Sequence, residues 1–286
     1  MSLFVAQVRR FAGQHASAVC VRLDQVRGSS PRDEGALMLV SDNATIGTIG
    51  GGHMEHMAID VARRMLRDGD AASVRDVALG PETGQCCGGR VIVKFERITN
   101  ELVAQIGDQL ERMRSGDPHV FVFGAGHVGR ALVRALHPLP LQVHLVDERQ
   151  SELALTDVPV DLIHAALPEQ VVRTAPAGSG FVVLTHDHAL DFLIAREVLA
   201  RGDAYYAGMI GSKTKRAVFA SWLAENGDDP RLLDALLCPI GNKAVDDKRP
   251  EVIAALAAAE ILVHSQVTRM GMPGRFGAVD DKLGVV

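Results

Sequence analysis

The sequence predicts an α/β protein in two parts. These are an N-terminal α/β domain over residues 1–115 and a C-terminal domain over 116–286 built on a doubly wound parallel sheet. Three observations carry this. A chain of 286 residues is long enough for two domains of about 150 residues each. Ser115-Gly116-Asp117-Pro118 breaks an amphipathic helix and separates two different patterns. From residue 120 onward short β-rich runs alternate with helical stretches, as in a parallel sheet covered on both faces.

In the first part, residues 3–11 read as a helix and 16–23 as a strand. The loop Gly28-Ser29-Ser30-Pro31-Arg32 leads to a strand at 36–40, and Ser41-Asp42-Asn43 has turn chemistry. Met54, Met57, Ala58, Val61 and Met65 recur at helical spacing, which predicts a helix over 53–66. A loop through Gly84-Gln85-Cys86-Cys87-Gly88-Gly89 precedes a strand at 91–95, and a helix spans 102–113. In the second part strands are expected at 120–123, 142–146, 162–165, 181–184 and 204–207, with helices at 128–136, 190–200 and 214–224. The last helix, 250–263, opens on Pro250, where a missing N–H costs nothing.

Composition excludes several classes. Hydrophobic residues at 47% and charged residues at 23% fit a globular chain, not a disordered one. A net charge of −5 gives no general pull towards nucleic acid or membrane, and aromatics at 4% are too few for a base-stacking surface. No uninterrupted apolar stretch reaches the ~20 residues of a membrane span, and the N-terminus does not read as a signal peptide. Four cysteines are too sparse for a disulfide framework. A cytoplasmic protein without nucleic-acid or membrane partners is expected.

Five segments carry candidate chemistry. Gly124-Ala125-Gly126-His127-Val128-Gly129 follows a strand and opens a helix, the Rossmann-like G-x-G-x-x-G setting. Either a phosphate sits on the helix N-terminus, or the glycines serve close packing only. Asp147 closes the next strand, where a Rossmann acid would hold a ribose hydroxyl. Gly50, Gly51 and Gly52 before a helix form either a second anion cradle or a tight crossover. Cys86-Cys87-Gly88-Gly89 offers either a thiolate suited to soft metals and sulfur, or two buried inert thiols. Thr185-His186-Asp187-His188 ends a strand; it is either a metal site or a capping turn that aims His186 into a cleft. Ser212 is a helix N-cap, yet Lys213, Lys215 and Arg216 crowd the positive end of that helix. Either an anion offsets them or they reach into water.

Together these segments resemble the XdhC/CoxI family of xanthine dehydrogenase accessory proteins, over nearly the whole chain. The resemblance rests on GSSPRDEGALMLV (28–40), GTIGGGHMEHMAIDVARRML (47–66), CGG (87–89), FVFGAGHVGRAL, LTHDHALD (184–191), AGMIGSKTKR, CPIG (238–241) and KRPEVIAALAAAEIL. It implies a chaperone that binds molybdenum cofactor in its molybdopterin form as cargo and is not itself an enzyme. Such a protein protects the cofactor, supports its sulfuration with a cysteine desulfurase, and inserts it into apo xanthine dehydrogenase. Cys87 matches the family's loop cysteine and is the candidate molybdenum contact; Cys86 is an extra neighbour. The cofactor is expected to touch Cys87, Cys86, Arg32, Gly50, Gly51, Gly52, Gly124, Gly126, His127, Gly129, Asp147, His186, Ser212 and Lys213. Residues 239–248 depart from the commoner family ending, so no ligand role is carried over to that loop. The alanine-rich face of residues 252–262 serves either a homodimer or the core.

Two competing readings remain at this level. An NAD(P)-dependent oxidoreductase would use Gly124, Gly126, Gly129 and Asp147 for the dinucleotide and His186 or His188 as acid. A nucleotide-sensing scaffold would keep the fold and drop the cysteine role.

Overall fold

A computed structural model describes residues 3–80, 88–241, 245 and 247–269. The chain divides into two compact units, Met1–Met113 and Arg114–Val286. The first contains α1 (Leu3–Gln14), β1 (Val19–Arg27), β2 (Leu37–Val40), β3 (Thr45–Gly47), α2 (Gly52–Asp68), β4 (Ala72–Ala78), β5 (Arg90–Arg97) and most of α3 (Asn100–Ser115). Its antiparallel sheet runs β3-β2-β1-β5-β4. Strand side chains alternate between faces. Val19, Val21, Leu23, Val91, Val93 and Phe95 face Met54, Ala58, Ala62 and Met65 of α2. Cys20 and Leu39 face the opposite way, onto Val8 and Phe11 of α1 and Ile106 of α3.

The second unit has β6 (His119–Phe123), α4 (His127–Leu136), β7 (Gln142–Asp147), α5 (Gln150–Leu153), β8 (Asp161–His164), α6 (Pro168–Thr174), β9 (Gly180–Val183), α7 (His188–Arg201), β10 (Tyr206–Met209), α8 (Lys213–Glu225) and α9 (Pro250–Arg269). Its five strands are parallel in the order β10-β9-β6-β7-β8. This is the Rossmann-like doubly wound sheet. The chain builds outward from β6 in one direction, then returns to β9 on the other side. The switch point between β6 and β9 is where such sheets bind ligands, outside the carboxyl ends of the strands. α4 and α9 cover one face through Leu132, Leu136, Ala254, Ala257 and Ile261. α6, α7 and α8 cover the other, where Phe121, Phe123 and Phe181 meet Val172, Ile194, Val198 and Phe219.

Several elements differ from expectation. β4 and the short helices α5 and α6 join the expected set. β10 begins two residues later than expected, because the ladder starts where Tyr206 pairs with Gly180. α9 continues to Arg269 and, among the described residues, is the one helix long and apolar enough to cross a membrane. Its inward stripe, Ala254, Ala257, Ala258 and Ile261, is buried in the core with α4, so that part of the 252–262 face is core.

Candidate functional site

The three fingerprint glycines have different jobs. Gly124 has φ +113°, and a Cβ there would lie 2.4 Å from the Leu184 carbonyl oxygen beyond β9. A Cβ on Gly129 would lie 1.9 Å from the Gly124 carbonyl oxygen. Packing of strand, turn and helix therefore demands both. Gly126 has an ordinary φ of −68°, and a Cβ there meets nothing within 4 Å. It is the N-cap of α4 and supplies no side-chain cap. Internal packing does not demand glycine here, and glycine is itself among the residues favoured at an N-cap. His127, the first residue of α4, is exposed beside it.

Asp147 lies at the expected place but is already occupied. It is 5% exposed. Its Oδ2 accepts from the Ala125 N–H at 2.6 Å and from Arg149 Nη2 at 3.0 Å. Its Oδ1 accepts from the Arg149 N–H at 2.8 Å and from Arg149 Nε at 3.0 Å. Burial alone would raise its pKa. The Arg149 side chain and the two backbone N–H groups outweigh that and hold it below the usual carboxylate range. The expected ribose contact is thus corrected: a carboxylate has about four acceptor positions, and Arg149 and Ala125 take them. A narrow, shallow cleft opens beside it between Gly124, Glu148, Pro168, Thr185 and His186.

The loop after β9 is a capping turn. Asp187 Oδ1 accepts from Ala189 N–H at 2.7 Å and caps α7. Thr185 Oγ1 donates to Asp191 Oδ1 at 2.7 Å, and the Thr185 N–H does so at 2.9 Å. His186 lines the cleft, while His188 is exposed on α7. No group of three or more metal-ligating side chains occurs among the described residues. Ser212 caps α8, accepting from Lys215 N–H at 3.2 Å. The crowded cations beyond it are mostly engaged within the fold. Lys215 pairs with the fully buried Asp191, and Arg216 donates to the Leu236 and Leu233 carbonyls. Lys213 is exposed at the first position of α8. Asp191 was not legible as a site residue, since its partner Lys215 is brought to it by tertiary structure; the pairing of Arg149 with Asp147, two residues apart, is local and was missed.

In the first unit, three motif loops converge. A Cβ on Gly50 would meet Pro31 at 2.6 Å, with Arg32 next to it at 3.5 Å. A Cβ on Gly89 would meet the Ser29 carbonyl oxygen at 2.2 Å. The loops 28–32, 47–52 and 88–89 thus touch. Two amides of the 47–52 turn are occupied by an internal anion, and the Gly50 N–H donates to Thr48 Oγ1 at 3.1 Å. Glu55 Oε2 accepts from Thr48 Oγ1, from Ile49 N–H at 3.2 Å and from Gly51 N–H at 3.1 Å. Burial works to raise the Glu55 pKa, and these donors overcome it and lower it. The open cradle expected at Gly50–Gly52 is therefore corrected to one filled by Glu55, with Gly52 opening α2. A larger hollow of ≈ 780 Å³, counted out to solvent, lies elsewhere, by Asp42, Arg63 and Arg67. Cys86 and Cys87 lie outside the described residues. The two described cysteines are buried, and burial pushes the Cys20 thiol up to about 11.

Residues 120–261 match the XdhC Rossmann domain, and residues 12–77 match the XdhC and CoxI family. The chain belongs to the XdhC and CoxI family. The uncharacterized protein YqeB of Escherichia coli (strain K12) is 25% identical over 276 residues, covering 92% of this chain. The chain spans about half of that relative's length, 46%. A solved structure described as a xanthine dehydrogenase from Bacillus halodurans superposes with a TM-score of 0.72 at 19% identity. It covers 96% of this chain and 99% of its own, and at that identity the likeness concerns the fold.

Proposed function

We propose that this XdhC-type chain is an accessory protein that holds molybdenum cofactor as cargo, supports its sulfuration and delivers it to apo xanthine dehydrogenase. The observation that carries the reading is the contrast at the edge of the second sheet. The turn at Gly126 is open to a phosphate-bearing ligand, while Asp147, the usual ribose acceptor, is saturated by Arg149 and Ala125. That combination suits a phosphorylated cargo better than NAD(P). Release is part of the task, and a site that grips by a few backbone N–H groups, with no group of three or more metal-ligating side chains among the described residues, suits a carrier. By family resemblance Cys87 supplies the soft contact to molybdenum or sulfur, and a cysteine desulfurase and the target enzyme are the transient partners.

The test is the molybdenum and pterin content of protein purified anaerobically from cells that make the cofactor. Near-stoichiometric metal and pterin, reduced by Cys87→Ala, is the expected result. Empty protein that instead binds NAD(H) and transfers hydride to a small carbonyl refutes the reading.

A further inference from the structure

We propose that His119 and His144 form a one-proton latch: at neutral pH it ties the segment that joins the two units to β7, and in mild acid it lets that segment go.

The chain passes between the units once, at Met113–Arg114. Residues 115–118 then lead from the end of α3 into β6. Gln142, the first residue of β7, holds this segment. Its backbone N–H donates to the Pro118 carbonyl at 2.9 Å. Its side-chain Nε2 donates to the Asp117 carbonyl at 3.1 Å and reaches the Ser115 carbonyl at 3.4 Å. Carbonyls only accept, so the amide must present its NH2 to them. The same NH2 lies 3.2 Å from His119 Nε2.

The ring tautomers follow one from the next. His119 Nε2 accepts from Gln142, so the His119 proton sits on Nδ1. That Nδ1 is 2.9 Å from His144 Nε2, which must then accept. The His144 proton is left on Nδ1, which donates to Asp161 Oδ2 at 2.8 Å. Strand register sets the row, since His119 pairs with Gln142, Phe121 with His144, and His144 with Asp161. The two imidazole planes lie within 9° of parallel with centroids 5.1 Å apart, which suits a hydrogen bond from ring edge to ring edge. Phe121 stacks on His144 at 4.3 Å and fixes its ring.

Both acceptor nitrogens of the pair are therefore in use. A proton from solvent, arriving past the 61% exposed Asp161, makes His144 an imidazolium with N–H on both nitrogens. His144 Nε2–H then finds an acceptor only if the His119 proton moves from Nδ1 to Nε2. There it faces the Gln142 NH2, donor against donor. Turning the Gln142 amide over satisfies His119 but sets Oε1 against the Asp117 and Ser115 carbonyls. Either way the segment loses its side-chain donor. Asp161 favours the added proton, while burial and then His144 hold His119 below the usual imidazole value of 6.5. Around the row, Arg201 of α7 lies over the Phe181 ring at 5.5 Å and pairs with Asp203, and Arg173 of α6 pairs with Glu197. Arg114 and Asp117 are the charged residues of the segment itself. Because the His119 value is lowered on folding, the latch is fully present above about pH 6.5 and is lost as pH falls through the lower folded value.

The test uses the full-length chain. Long-range nitrogen–proton spectra of the imidazoles are expected to show both rings as the Nδ1–H tautomer at about pH 7.5. Hydrogen exchange over residues 115–120, corrected for its intrinsic pH dependence, is expected to lose protection about five- to tenfold between about pH 7.5 and pH 5.5, the worth of one hydrogen bond, while β9 keeps its protection. Gln142→Leu should show the low protection at both pH values. The double variant His119→Phe, His144→Phe leaves Gln142 on Asp117 without a titrating ring and should stay protected at both. An Nε2–H tautomer at either ring near neutral pH overturns the latch, and wild-type spectra decide this even where a variant fails to fold. Wild-type protection that does not fall in acid, a fall that β9 shares equally, or the same pH dependence in the double variant also overturns it.

Discussion

Replacing the fingerprint glycines one at a time separates binding from folding. In Gly129→Ala the new methyl starts 1.9 Å from the Gly124 carbonyl oxygen, whereas real Cβ contacts do not fall under 3.0 Å. Both sides of the clash are backbone, so α4 or the turn must withdraw by about 1 Å in a close-packed core. Overpacking of this kind costs roughly 1–3 kcal/mol, and the absence of a flexible partner puts Gly129 at the upper end. At about 2–4 °C per kcal/mol for a unit of this size, the melting midpoint should fall by about 6–12 °C. Gly126→Ala creates no contact within 4 Å and keeps an ordinary φ of −68°. An alanine N-cap costs about 0.5–1 kcal/mol, hence about 1–4 °C. Its methyl nevertheless occupies the approach to the α4 amides, so bound cofactor should drop at least about tenfold. The assay pairs thermal unfolding with molybdenum and pterin content for each variant. If Gly126→Ala carries cofactor at the wild-type level, the open turn is not the phosphate seat. If its midpoint falls as far as that of Gly129→Ala, the distinction between packing and approach is wrong.

Two further predictions concern the carboxylates that organise the loops. Asp191→Ala strands the nearly buried Lys215 and leaves the Thr185 N–H without its acceptor, so urea unfolding should show a loss of about 3–5 kcal/mol. Leucine at both positions should recover only the part due to the stranded Lys215, since Thr185 still lacks its acceptor, and a single-variant loss below about 1 kcal/mol would show that the pair contributes nothing. Glu55→Gln should destabilise the protein at neutral pH by loosening the 47–52 turn. Because the Glu55 pKa is lowered from 4.5 on folding, its contribution is fully present above that value and is lost as pH falls through the folded value. The gap between wild type and Glu55→Gln should therefore close below about pH 4.5, and a gap that persists unchanged into acid refutes the assignment.

Strong periodicity made most of the architecture legible. Met54, Ala58, Val61 and Met65 announce α2 because a helix packed on one face of a sheet must repeat its apolar residues. The G-x-G-x-x-G turn announces β6 and α4 because two of its glycines have no steric alternative. β4 escaped because it is an edge strand with a mostly exposed pattern, and Val74 is 57% exposed. β10 was misplaced because Tyr206 to Met209 are all buried and lack alternation, while Gly208 reads as a loop residue. A Cβ on Gly208 would in fact strike the Tyr206 ring at 2.5 Å. The Asp191–Lys215 pair joins α7 to α8, and no local rule pairs residues on separate helices. Glu55 had a usable signal, an acid in the first turn of a helix that follows a glycine run.

The same physics that makes an anion site also lets the protein fill it. Turn amides and helix starts concentrate positive partial charge, and unpaired N–H groups are costly, so a fold satisfies them internally where a carboxylate is at hand. Glu55 does this for the 47–52 turn, and Asp147 does it for Ala125 N–H and the Arg149 guanidinium. Sequence patterns report the donors and are blind to whether an acceptor returns from farther along the chain. What distinguishes Gly126 is that the fold gives it neither a side-chain cap nor a steric reason to be glycine. Under the carrier reading this division has a consequence for hand-off. A phosphate entering at Gly126 has no resident anion to displace, whereas one entering at Gly51 must first expel Glu55. Cofactor loading should therefore respond strongly to Gly126 and weakly to Gly51, although at Gly51 the φ of +73° makes any substitution strain the turn and lower the melting midpoint.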